Sequence, residues 1–176
     1  MKNGDNMLEA ALEKLRTFSP SHKQYIKEVL TSIIEHYGNL LCVLAIFGSY
    51  ARGENRKNSD LDLLVILERA QSLRKRLEEF EEAIKRTEPL AQKLYEKEGI
   101  YCEPSPYILS RDEAFTFQPI YFDLYEHHIL VFDPQNMFPK LIASIGKVLR
   151  EHRAQKFSWG NFWGWKAEKF LGGTKL

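Results

Sequence analysis

Two aspartates one residue apart, Asp60 and Asp62, follow a Gly48-Ser49 pair after ten intervening residues. Side chains in a strand alternate with period two, so if a strand starts here both carboxylates face the same side and can share a metal ion. Mg²⁺ takes oxygen ligands, commonly one or two carboxylates together with substrate phosphates. A glycine lets backbone amides come close to a triphosphate, and a serine hydroxyl can donate to a phosphate oxygen where a larger side chain would obstruct. Two such ions could activate an attacking hydroxyl and stabilise a departing pyrophosphate. A Walker A reading of Gly48-Ser49-Tyr50-Ala51-Arg52-Gly53 fails. That motif needs Lys and then Ser or Thr directly after the second glycine, and Glu54 and Asn55 stand there.

The elements around these residues can be read from periodicity. Leu40 to Phe47 is an unbroken apolar run, as expected of a strand covered on both faces. Asp60 to Leu67 predicts a second buried strand with both aspartates at its start, after a polar loop over 48–59. Upstream, apolar residues from Asn6 to Phe18 recur at helical spacing. Ser19 as N-cap with Pro20 at the first helical position opens a second helix, which Gly38 ends. Glu68 to Glu98 predicts a long, one-sided charged helix that Pro89 kinks or splits. Ile100 to Leu109 predicts a third strand, Ser110 and Glu113 a capping box, and Ile129 to Phe132 a fourth strand. Asp133-Pro134 is expected to open a last helix reaching about Arg153, while Pro119 to His128 stays ambiguous. Helices mixed with strands in this order predict an α/β (α+β) fold, one mixed sheet with packed helices.

Composition narrows the field. A chain of 176 residues and 20.6 kDa is the size of one domain. The expected parts are N-terminal helices over 1–38, a core over 39–133, and a C-terminal helix with a basic aromatic tail over 134–176. Net charge +1 supplies no field that would capture a polyanion by bulk charge. Cys42 and Cys102 lack any zinc-ligand spacing and read as reduced core thiols. The longest apolar run is far short of the roughly 20 residues that cross a bilayer. Asp5 and Glu9 are unlike a signal peptide, so the cytoplasm is expected and no membrane role is.

The two segments Gly48-Ser49-Tyr50-Ala51-Arg52-Gly53 and Ser59-Asp60-Leu61-Asp62-Leu63-Leu64-Val65 closely resemble the signature of the DNA polymerase beta-like nucleotidyltransferase superfamily. The minimal nucleotidyltransferases of prokaryotes look like the nearest branch. The resemblance implies the nucleotidyltransferase fold and Mg²⁺-dependent transfer of a nucleoside monophosphate from a nucleoside triphosphate, with ATP expected, to a hydroxyl, releasing pyrophosphate. It implies that Gly48 and Ser49 hold the triphosphate and that Asp60 and Asp62 bind metal. Arg52 is divided evenly between contacting phosphate and pairing with a core carboxylate. The family also uses a third carboxylate on a neighbouring strand. Glu103 is the candidate for it, read as lying inside the third strand, with Asp112, Glu113 and Asp123 as alternatives.

The acceptor could be a protein hydroxyl, an RNA end or a small molecule. Minimal nucleotidyltransferases are commonly antitoxins that modify a helical toxin. The other reading is a binding module of this fold whose metal site is vestigial, acting by protein or RNA contact. From Lys147 to Leu176, seven Lys or Arg stand against two Glu, together with all three tryptophans. That mixture suits stacking on RNA, but packing of Phe157, Trp159, Phe162, Trp163 and Trp165 onto the domain or across a homodimer is favoured. Adjacent residues in a strand or turn diverge, which sets His127-His128 aside as surface histidines.

Overall fold

A computed structural model describes residues 2–160 and 162–176 of the chain. Two helices, α1 (Lys2–Lys14) and α2 (Pro20–Tyr37), precede β1 (Leu41–Ile46), the short helix α3 (Gly48–Arg52) and β2 (Leu61–Leu67). Helices α4 (Leu73–Ile84) and α5 (Glu88–Glu98) then lead to β3 (Pro104–Ser110). After α6 (Arg111–Ala114) and α7 (Tyr121–Glu126) come β4 (Ile129–Phe132) and α8 (Phe138–Glu151). A hairpin of β5 (Gln155–Trp159) and β6 (Phe162–Lys166) follows.

The four-stranded sheet has the order β3-β2-β1-β4. Strand β1 is antiparallel to both β2 and β4, and β2 is parallel to β3. The parallel pair requires a crossover, which α4 and α5 supply. Strands β1 and β2 are buried on both faces, which is why their sequences read as continuous apolar runs. On one face Leu44, Ile46, Leu61, Leu63 and Val65 pack against α1, α2, Phe80 and Leu94. On the other, Val43, Ala45, Leu64 and Ile66 pack against Leu124 of α7 and Leu141, Ile145 and Leu149 of α8. Asp62 shares the parity of Leu64 and Ile66, so it emerges on the α7 side.

Several boundaries differ from the periodicity, each for a local reason. Helix α1 stops at Lys14 because Ser19 is taken as N-cap of α2, accepting from the His22 N–H at 3.1 Å. The 48–59 segment is not all loop, since α3 starts at Gly48 and closes on Gly53 in the left-handed conformation. The long charged helix is two helices joined by a 3₁₀ turn at Lys85–Thr87, with Pro89 in the first turn of α5. Strand β3 begins at Pro104, so Glu103 precedes the strand instead of lying inside it. The Gly99 cap and the Tyr101 N–H bond to the Lys57 carbonyl at 2.7 Å keep residues 99–103 out of the ladder. The ambiguous 119–128 stretch holds α7. Helix α8 starts at Phe138, not Asp133. Asp133 instead accepts from the Met137 and Phe138 amides, and Asn136 turns the chain at φ 52°.

The tail forms a hairpin in which Trp159 pairs with Phe162. Trp165 stacks on Phe122 with ring centroids 5.3 Å apart, whereas Phe157 is 46% exposed. The side chains of Trp159, Phe162 and Trp163 lie outside the described residues. Cys42 and Cys102 are free and buried. Among the described residues no helix is long and apolar enough to cross a membrane.

Candidate active site

Strand β1 ends at Ile46, and the backbone turns at Gly48 with φ +67° into α3. A Cβ at position 48 would overlap the carboxylate of Asp62. The glycine is therefore required twice, for its positive φ and because the acid lies against its Cα. The turn and the aspartate strand are also tied through the backbone, since the Phe47 N–H donates to the Asp62 carbonyl at 3.1 Å. The Gly-Ser turn and the second aspartate thus form one packed unit.

Helix α7 closes this unit on the sheet face from which Asp62 emerges. The Gly48 N–H donates to Oδ2 of Asp123 at 3.0 Å, and Nη1 of Arg52 donates to both Asp123 oxygens at 2.7 Å. Arg52 also bonds Glu54 through Nε at 2.9 Å. Burial, with Asp60 and Asp123 as neighbouring negative charges, pushes the Asp62 carboxyl up to about 6, opposed by the Arg52 guanidinium. Asp60 itself is exposed at the start of β2. Three carboxylates and one guanidinium therefore bear on the same small region, in net negative excess.

Glu103 stands elsewhere. Its backbone carbonyl accepts from the Leu61 N–H at 2.8 Å, which sets it beside the start of β2, but its carboxylate is exposed and accepts from the Tyr101 hydroxyl. The residue paired with Asp62 on β3 is Ser105, and β3 contains no carboxylate. Of the alternatives, Glu113 is occupied structurally. It closes the capping box with Ser110 and takes both Arg76 guanidinium nitrogens, which hold its carboxyl down at about 2. Asp112 is exposed on α6. Asp123 is the one that reaches Asp62, and its only signal in the sequence was membership of that short list of acids.

A buried polar chain holds α3 from behind. His22 accepts the Phe18 N–H on Nδ1 at 3.3 Å, so its proton is on Nε2, which donates to the Tyr50 hydroxyl at 3.0 Å. Tyr50 in turn donates to Cys102 Sγ at 3.1 Å. Burial lowers the pKa of His22, which keeps the ring neutral. Asn55 donates to the Arg16 carbonyl at 3.1 Å and pins the loop between α3 and β2 to the N-terminal helices. These links were not legible beforehand, because His22 and Tyr50 are 28 residues apart and no spacing rule joins them.

The donor set is all oxygen and anionic, which suits a hard divalent ion and not zinc or iron. Among the described residues no group of three or more His, Cys, Asp or Glu is arranged to hold a metal by itself. Two aspartates awaiting further oxygen ligands fit an ion such as Mg²⁺, which ordinarily completes its shell with substrate phosphates and water.

The family description "nucleotidyltransferase domain" matches residues 26–115, the stretch that carries the turn, both aspartates and the first three strands. Protein adenylyltransferase MntA of Thermococcus cleftensis is 35% identical over 80 residues, 44% of this chain and 72% of that protein. Spectinomycin adenyltransferase AAD(9) from Enterococcus faecialis, solved with ATP and spectinomycin, superposes with a TM-score of 0.51 at 14% identity. That superposition spans 73% of this chain and 64% of the other, and supports the fold. A toxin–antitoxin crystal structure with AMP-PNP gives a TM-score of 0.44 at 17% identity, over 69% and 87%.

Proposed function

The chain belongs to the nucleotidyltransferase domain family, and from that premise we propose that it transfers the adenylyl group of ATP to a hydroxyl of a partner protein, releasing pyrophosphate. The observation that carries the reading is the lodging of Asp62 against Gly48, which joins the nucleotide turn and the acidic strand into one rigid unit. A protein acceptor is supported by the likeness to a protein adenylyltransferase. The antitoxin role implied by the resemblance is this same reaction with a toxin as acceptor.

In this reading Asp60 and Asp62 hold Mg²⁺, which when bound neutralises phosphate charge and lowers the barrier to attack at the α-phosphorus. Gly48 and Ser49 seat the triphosphate, the serine hydroxyl donating to a phosphate oxygen. Asp123 fills the place first given to Glu103. It restrains the Gly48 amide and the Arg52 guanidinium and adds negative charge beside Asp62. Arg52 holds Asp123 and stands where it can turn toward incoming phosphate. The acceptor hydroxyl attacks the α-phosphorus, its proton passes to a carboxylate of the site or to water, and the bond to the β-phosphate oxygen breaks.

The test is incubation with ATP labelled at the α-phosphorus, Mg²⁺ and lysate protein, comparing the wild type with Asp60→Asn and Asp62→Asn. A labelled protein band that both variants fail to produce is expected. A wild-type rate in either variant would remove the assigned residues from the reaction.

A further inference from the structure

Between α2, the α4–α5 pair and residues 100–104 lies a cavity of about 690 Å³, within the size range of sites that bury a ligand or several side chains. Its floor is apolar and aromatic, with Tyr25, Ile84, Ala91 and Ile100. Glu81, Glu88 and Glu103 contribute three carboxylates, and Tyr95 and Tyr101, 61% and 49% exposed, stand beside them. No Lys, Arg or His lines it among the described residues. In the turn between α4 and α5, Lys85 pairs with Glu82 and Arg86 with Glu35, while neither Glu81 nor Glu88 has an ion pair among the described residues.

The cavity also adjoins the candidate active site. Its Glu103 wall bonds the Leu61 amide, next in sequence to Asp60, and the charge of Asp60 is felt at the Tyr101 hydroxyl and the Cys102 thiol. A substrate seated here would have one end near the start of β2, where Asp60 stands.

We infer that this cavity docks a basic segment of the acceptor protein, an arginine or lysine near the target hydroxyl. This rests on the reading of the acceptor as a protein. The apolar floor accepts the methylene stem of such a side chain. The tyrosine rings stack on a guanidinium or ammonium, and the carboxylates pair with its charge. Arginine suits the site better than lysine, because its planar group stacks and bonds at once. The cavity thereby selects the acceptor, while Gly48, Ser49 and the aspartates serve the nucleotide.

The probe is a short fluorescent peptide with one tyrosine flanked by arginines, set against the same peptide with glutamines in their place. Binding is read by anisotropy on the full chain, without ATP or metal. The arginine peptide should bind at least about tenfold more tightly, and raising the salt should erode that preference. The double variant Glu81→Gln/Glu88→Gln, whose melting temperature is checked first, should lose most of the preference while its ATP affinity stays unchanged. Equal binding of the two peptides, or an unaltered preference in the double variant, would overturn the inference. So would spermine binding that excludes the arginine peptide and is itself lost in the double variant, since the occupant would then be a small organic cation. If the arginine peptide binds as expected and receives no label from ATP, the proposed reaction fails and the docking site stands.

Discussion

Asp62→Asn keeps the shape of the side chain and removes its charge, so in a chelating buffer at pH 7 it is expected to make the fold more stable, not less. The carboxyl is raised from 3.8 to about 6 by burial and by the charges of Asp60 and Asp123, which means that its ionised form is held at a cost. About two pKa units at about 1.4 kcal/mol each bound that cost near 3 kcal/mol. Solvent around the partly exposed side chain screens it to about 1–2 kcal/mol. In a domain of this length that corresponds to a melting temperature higher by about 2–8 °C. The sign with pH follows from the raised folded-state pKa. The wild type gains stability as pH falls through about 6, and the gain is complete below the unfolded value of 3.8. The advantage of the asparagine should therefore be largest at neutral and higher pH and vanish toward pH 3.8. Thermal melts across that range read it directly, and adding Mg²⁺ with ATP should reverse the order, since the cation is held by the wild-type pair. An asparagine variant that melts lower than wild type in chelator, or whose advantage is the same at both ends of the range, would refute the electrostatic reasoning.

Gly48→Ala should be more damaging than its size suggests. It places a methyl into the Asp62 carboxylate at a backbone φ of +67°, where an L side chain alone costs about 1–2 kcal/mol, and calorimetry should find ATP binding lost along with stability. Arg52→Ala leaves Asp123 without its guanidinium, so urea melts should show a loss of about 1–3 kcal/mol, and ATP affinity should fall. Asp123→Asn and Glu103→Gln separate the two candidates for the third carboxylate. Adenylyl transfer should drop in the first, and a comparable drop confined to the second would return the role to Glu103. Glu113→Gln should cost about 1 kcal/mol or less at pH 7, because Glu113 is half-exposed. Its contribution is present above the ordinary carboxylate range and is lost as pH falls toward about 2, which acid titration of the two proteins checks.

How far the sequence could be read depends on how local each determinant is. Strands β1 and β2 and the Ser110–Glu113 capping box depend on residues close in sequence, and they stand within a residue of where their spacing places them, with Asp60 just ahead of β2 instead of inside it. The hairpin β5–β6 also had a local signal, Gly160 between two aromatic runs, which reading the glycines only as helix breakers passes over. Asp123 and His22 are different. Asp123 meets Gly48 across 75 residues through a short helix whose apolar pattern is ambiguous, and His22 meets Tyr50 because two elements pack on one face of the sheet. Glu103 shows the complementary error, in which strand propensity carries a residue into a ladder that begins one position later.

The central claim is that this chain moves the α-phosphoryl group of a nucleotide under the control of Asp60 and Asp62. Parallel reactions with ATP labelled at the α- or the γ-phosphorus, in the presence of Mg²⁺ and the acceptor fraction, test it most directly. The account predicts that the α label appears on protein while the γ label leaves as pyrophosphate, and that both Asp60→Asn and Asp62→Asn abolish the transfer. Label arriving from the γ position, or α-label transfer that survives in either variant, would contradict it.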